Sequence, residues 1–200
     1  MLGGFLVLGV ASRFFGDDGP RIRPGQADHV AFEGITRARG LPTRPDDAIR
    51  DATGDDIRDV LDAWYQEAFA DPAAFGDGSF AAVAERFVSE AAVGFVEDRD
   101  ALTIGSLAPQ VASVRVNRAN ADVTLYFEDG VAAWATAAVG FDARAHLTDG
   151  GTDVLIEQRV SLVLEQRPEV GWVITNYYDA SQRHRSRERR VDPSPSESSS

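Results

Sequence analysis

EDGVAAWATAAVGFDARAHLTDGGTDVLIEQRVSLVLEQRPEVGWVITNYY, residues 128–178, holds two Asp-Gly turns and hardly any Gly or Pro between them. From Val131 to Leu147 the odd positions are apolar: Val131, Ala133, Ala135, Ala137, Val139, Phe141, Ala143, Ala145 and Leu147. The even ones include Trp134, Thr136, Asp142, Arg144 and His146. That period of two is the mark of a strand with one covered face. Val154, Ile156, Val160, Leu162 and Leu164 repeat it, with Gln158 as the polar interruption. The run Gly171–Tyr178 does so once more, interrupted by Asn176. Asp129-Gly130 and Asp149-Gly150 suit hairpin turns. Upstream, Val123, Leu125 and Phe127 alternate with polar residues, and a short strand is expected near Val111 to Asn117. The reading is an antiparallel sheet of about five strands.

Before the sheet the period is helical. Ile57, Val60, Leu61, Trp64, Tyr65, Ala68 and Phe69 fall on one face of a helix starting near Asp55-Asp56 and ending at Asp71-Pro72. Phe80, Val83, Ala84, Phe87 and Val88 predict a second helix, capped by Ser79. A shorter helical piece follows over about Glu90 to Val96. Strands of about 15 residues would reach roughly 50 Å if flat. Helices of about 16 and 9 residues span roughly 24 and 14 Å. The sheet is therefore expected to curl around the helices, with a bend or bulge at Gly140. The fold class is α+β: N-terminal helices packed in a strongly curved antiparallel sheet, an α+β cone.

The domain runs over 54–180. Residues 1–15 open with an apolar stretch, Met1 to Ser12, too short to span a bilayer but matching a signal peptide core or part of an anchor. Residues 16–53, rich in Gly, Pro, Asp and Arg, read as a flexible tether. Residues 181–200 read as a disordered Arg/Ser-rich tail: a solvated end, or a basic arm for the acidic body or an anionic lipid surface. This arrangement places the domain at the cell membrane, on its extracytoplasmic side. The alternative is a cytoplasmic protein whose N-terminus packs. The net charge of -12 argues against nucleic acid as a partner. With no Cys, thiol chemistry and Cys-ligated metals are excluded. The three His are far apart in sequence, so no metal site is expected, and no motif implies a cofactor.

Trp64–Asp71, Phe80–Ala92 and the strands ending in Gly171-Trp-Val-Ile174 resemble the nuclear transport factor two-like superfamily, which includes ketosteroid isomerase, scytalone dehydratase and polyketide cyclases. The chain also looks like actinobacterial membrane-tethered extracytoplasmic members, such as those associated with mammalian-cell-entry transport systems. The resemblance covers residues 54–180. It implies a cone with a pocket, dimerisation through the sheet, and in the isomerase a helix Tyr that stabilises an oxyanion; Tyr65 matches that place. The general base of that pattern falls at Phe95 here. The nearest carboxylates, Glu97 and Asp98, are two and three residues further on.

Trp64, Tyr65, Phe95, Gln158 and Asn176 are the ligand-pocket candidates; no catalytic residue is assigned. Trp134, His146 and Trp172 are candidates for a partner or homodimer surface on the outside of the sheet. The expected function is a non-catalytic extracytoplasmic accessory or assembly domain of a cell-envelope complex, binding a protein partner or a small apolar ligand. The alternative is an isomerase/cyclase-like enzyme using the cone pocket.

Overall fold

The computed structural model describes residues 28–40, 46–76 and 78–188. The expected signal or anchor of residues 1–15 lies outside them. Elements run β1 (Thr36–Gly40), α1 (Asp47–Tyr65), a π-helical turn (Gln66–Ala70), α2 (Pro72–Phe75), α3 (Ala81–Ala84), α4 (Ser89–Glu97), α5 (Arg99–Leu102) and a 3₁₀ turn (Gly105–Gln110). Four long strands follow: β2 (Val111–Glu128), β3 (Val131–Leu147), β4 (Thr152–Arg167) and β5 (Gly171–Glu188). The class is α+β, with a five-stranded sheet in the order β1-β2-β3-β4-β5. β2 to β5 form an antiparallel meander, as the alternation predicts.

The sheet is mixed, which corrects the all-antiparallel expectation. β1 pairs parallel with β2, Thr36 opposite Val123 and Gly40 opposite Phe127. β1 lies in the stretch read as tether. It is too short and polar for a period of two to appear, and side chains of α1 hold it. The Arg58 guanidinium donates to the Gly34 carbonyl at 3.1 Å and to Thr36 Oγ1 at 2.6 Å. Gly54 lets the strand come close, since a Cβ there would lie 2.3 Å from Thr36 Oγ1.

α1 starts at Asp47, eight residues before the expected Asp55. Asp46 caps it by accepting from the Ala48 N–H at 3.0 Å. Its first two turns are exposed and polar and so show no apolar period. The helical ladder ends as expected at Asp71-Pro72: Asp71 N–H donates to the Gln66 carbonyl at 2.8 Å, closing the wider turn, and its carboxylate caps α2. The expected second helix is shorter than its apolar pattern. α3 has four residues, and Phe80 before it sits at φ 50 with no side-chain cap, where Ser79 was expected to serve. Phe87 then leaves the helix to bridge Ile174, the Val88 N–H donating to the Ile174 carbonyl at 3.0 Å.

The helices and sheet share one core. Ile57, Leu61, Trp64, Tyr65 and Phe69 from α1 and its π turn meet Val123, Leu125, Phe141, Ile156, Leu162 and Leu164, each under 2% exposed. Val111–Asn117 and 121–128, expected as separate strands, are one strand. A one-residue irregularity between Val116 and Arg118 joins them. There the Val116 N–H donates to Asp28 Oδ2 at 2.9 Å. Further bulges fall between Val111 and Ser113, at Tyr126/Phe127, at Arg159/Ser161 and at Val163/Leu164. Gly140 is not among them. It pairs regularly with Asn120 and Arg159.

β5 continues to Glu188, Gln182–Glu188 pairing with Thr152–Gln158 of β4. Residues 181–188 are therefore strand, not the start of a disordered tail. Composition misled here, because arginines on an outer face satisfy a strand as well as they do a solvated end.

Candidate functional site

Tyr65 and Gln158, selected separately from a helix pattern and a strand interruption, meet in the interior. Both are fully buried, and the Tyr65 hydroxyl donates to Gln158 Oε1 at 2.6 Å. Gln158 Nε2 points to the Ala101 carbonyl at 3.4 Å, at the end of α5. Each interruption of the apolar pattern thus answers the other, as buried polar groups require. Four rings enclose the phenol: Phe32, Trp64, Phe69 and Phe141, with centroids 4.8 to 5.2 Å from it or from one another. Burial among them pushes the Tyr65 hydroxyl up, far above the usual phenol range, against the Gln158 bond and the Arg159 charge.

Trp64 is fully buried and packs on Phe87 at 5.4 Å, and Phe95 is 2% exposed and packs on Phe87 at 5.0 Å. Both are core wall. Asn176 is not with them. It is exposed; its Oδ1 accepts from the Tyr177 N–H at 2.8 Å and its Nδ2 donates to the Tyr178 hydroxyl at 2.9 Å. The bulge at Thr175 turns Asn176 to the face opposite Ile174. There it occupies an edge N–H that would otherwise be open to another strand.

Of the surface candidates, Trp134 lies on the outer sheet face, stacked on Tyr126 with centroids 3.6 Å apart and rings 3° from parallel. His146 is on the same face, its Nδ1 2.7 Å from Asp153 Oδ1. Trp172 is in the core, 7% exposed, and so is no partner surface. It is in phase with Ile174, which stands opposite the fully buried Leu164.

The carboxylates nearest the isomerase base position stay outside. Glu97 and Asp98 are exposed, and Asp98 Oδ2 accepts from the Tyr177 hydroxyl at 2.9 Å. Sequence reading missed Tyr177; its signal was its place in the Asn176-Tyr177-Tyr178 run. The row Ser113, His146, Asp153 crosses β2, β3 and β4 on the outer face. No group of three or more His, Asp or Glu that could hold a metal occurs among the described residues.

Among the described residues, two surface depressions concern the candidate residues or their neighbours. One, about 450 Å³, lies by His29, Asp59, Asp62 and Gln66; the other, about 240 Å³, by Glu157, Arg159, Ser181 and Arg183. Neither is lined by Tyr65. At the first, the Phe32 N–H donates to Asp62 Oδ1 at 2.7 Å, and Gln66 bonds the Val30 N–H and the Asp28 carbonyl. These side chains clip the chain ahead of β1 to α1. Burial raises the Asp62 carboxyl, against the Phe32 bond. No described helix is long and apolar enough to cross a membrane. Comparison with protein-family models, curated proteins and solved structures finds no match.

Proposed function

We propose that the chain is a non-catalytic accessory or assembly domain, a nuclear transport factor two-like cone held at the extracytoplasmic side of a cell membrane by its apolar first residues. The observation that carries this reading is the state of the interior. The buried phenol, Tyr65, is matched to the amide of Gln158, and the two carboxylates closest to the base position, Glu97 and Asp98, are exposed. A general base must come within hydrogen-bond reach of the proton it takes. An amide takes none, and the aromatic rings around Tyr65 leave its hydroxyl facing Gln158 rather than an opening. The bulges along β2 and β5 support the cone, since each adds local twist and bend to a strand otherwise too long for the helices it covers.

Cells expressing the full chain test the placement. Recovery in the membrane fraction, with digestion by protease added outside the cytoplasm, is the expected result; recovery in the soluble cytosol overturns it. A second reading, an isomerase or cyclase using the interior, draws on the same Tyr65–Gln158 pair as an oxyanion donor. It requires turnover of an enolisable ketone that Tyr65→Phe abolishes.

A further inference from the structure

The pairing registers put an unusual charge pattern on the outer sheet face, because directly opposed residues share a face. Arg115 stands opposite Arg144, Arg144 opposite Leu155, and Leu155 opposite Arg185: three guanidinium groups in one row across the sheet. In the adjoining row Arg118 is opposite Asp142, and Glu157 opposite Arg183. Arg159 and Arg187 lie in the flanking rows. Seven arginines thus face Asp142, Asp153 and Glu157, in a chain whose net charge is -12. Arg159 pairs with Asp142 at 2.8 Å and Arg185 with Glu157 at 3.9 Å. Arg115, Arg118, Arg144 and Arg183 make no ion pair among the described residues. Like charges directly opposed weaken a sheet, so fold stability gives no reason for the row.

We infer that this face docks on an anionic lipid surface. The patch measures about 20 by 14 Å, from strand rise and spacing. A depression of about 240 Å³ on it is lined by Glu157 and Ser181 as well as by Arg159 and Arg183. The guanidinium groups are therefore presented as an array to many anions rather than gathered around one. Leu155, half-buried in the middle of the arginine row, suits the boundary between headgroups and acyl chains. Orientation follows from the remaining charge. α1, packed on the other face, carries Asp47, Asp51, Asp55, Asp56, Asp59 and Asp62. A negative surface attracts the sheet and repels the helix, and the short screening length lets the near face decide.

This goes beyond the tether proposed above, and a different measurement reads it. Full-length protein is floated with vesicles of phosphatidylcholine alone and of phosphatidylcholine with phosphatidylglycerol at about two to one. An apolar N-terminus contributes equally to both, so the ratio of the two partition coefficients reports the face alone. The ratio is expected at about tenfold or more in low salt and near one in high salt. Arg115→Gln with Arg144→Gln, and separately Arg183→Gln with Arg185→Gln, are each expected to lower it about fivefold or more. Their melting temperatures should hold, because the one ion pair among these residues, Arg185 with Glu157 at 3.9 Å, is solvent-exposed and contributes little. Arg99→Gln with Arg167→Gln, an exposed arginine of α5 and one at the far end of β4 outside the patch, is expected to leave it unchanged. A ratio near one in low salt overturns the inference, as does an equal loss in the Arg99/Arg167 variant. Displacement by millimolar inorganic phosphate would assign the face to a free anion. Tighter binding to a single-stranded RNA, lost in the same variants, would assign it to nucleic acid. Either result overturns the lipid docking.

Discussion

Tyr65 owes its state to its enclosure: its hydroxyl has Gln158 Oε1 as its hydrogen-bond partner, and the surrounding rings exclude water. Tyr65→Phe removes the donor and leaves a buried amide oxygen without one. That costs about 1–3 kcal/mol, by the penalty for an unmet buried acceptor. Gln158→Leu in the same background should recover part of the loss, since removing both partners is cheaper than removing one. Urea denaturation of the single and double variants checks this, and additive losses would mean the two groups do not interact. The contrast between Gln158 and Asn176 belongs to this scale too. Both are amides interrupting an apolar strand, and the sequence offers nothing to separate them. Gln158 lies in a stretch that keeps strict register with β3, so its face follows from counting. Asn176 follows a bulge, so counting puts it on the wrong face.

At the scale of elements, β5 departs furthest from expectation. Its apolar half ends near Tyr178, yet pairing with β4 continues for seven residues from Gln182 to Glu188. Asp179, at φ 54, sits beside the bulge where the register shifts between Arg159 and Ser161. Beyond it Gln182, opposite Gln158, is half-buried and shares a side-chain hydrogen bond with His184. A chain ending after Ser181 loses those pairs and leaves the first half of β4 as an open edge. Its melting temperature is expected to fall by more than about 2 °C, as a loss of one or more kcal/mol implies for a chain of this length. A solvated tail would leave the melt unmoved. β1 makes a similar point at the other edge: five residues without a readable pattern become a strand because Arg58, Asp62 and Gln66 of α1 and its π turn bond the backbone or side chains of the segment.

At the scale of the molecule, the composition opens a clean titration window. With no Lys and no Cys, tyrosine is the side-chain type whose ordinary range falls between pH 9 and 12. Tyr177 is pushed up to about 12, by burial first and then by the hydrogen bond to Asp98 and the charges of Asp98 and Glu97. Burial raises Tyr65 as well. The fold holds both phenols neutral, whereas the unfolded chain ionises them near pH 10. Their contribution is therefore fully present below pH 10 and declines as pH rises from 10 to 12, with that of Tyr65 still declining beyond. The urea midpoint should be flat from pH 7 to 9 and fall above 10, less steeply in Tyr177→Phe. A midpoint independent of pH up to 11 would contradict these environments.

The sequence by itself determined the class, the long strands β3 and β4 with their turns, the amphipathic face of α1 and most of the core. These follow from periodicity, which each segment carries in its own order of residues. Tertiary structure alone decided the parallel edge strand, the extension of β5, the burial of Trp172, the outward turn of Asn176 and the gathering of arginines from four strands onto one face. Each depends on which residue stands opposite which. A single inserted residue in one strand exchanges the two faces of everything beyond it, and no segment read alone contains its partner's register.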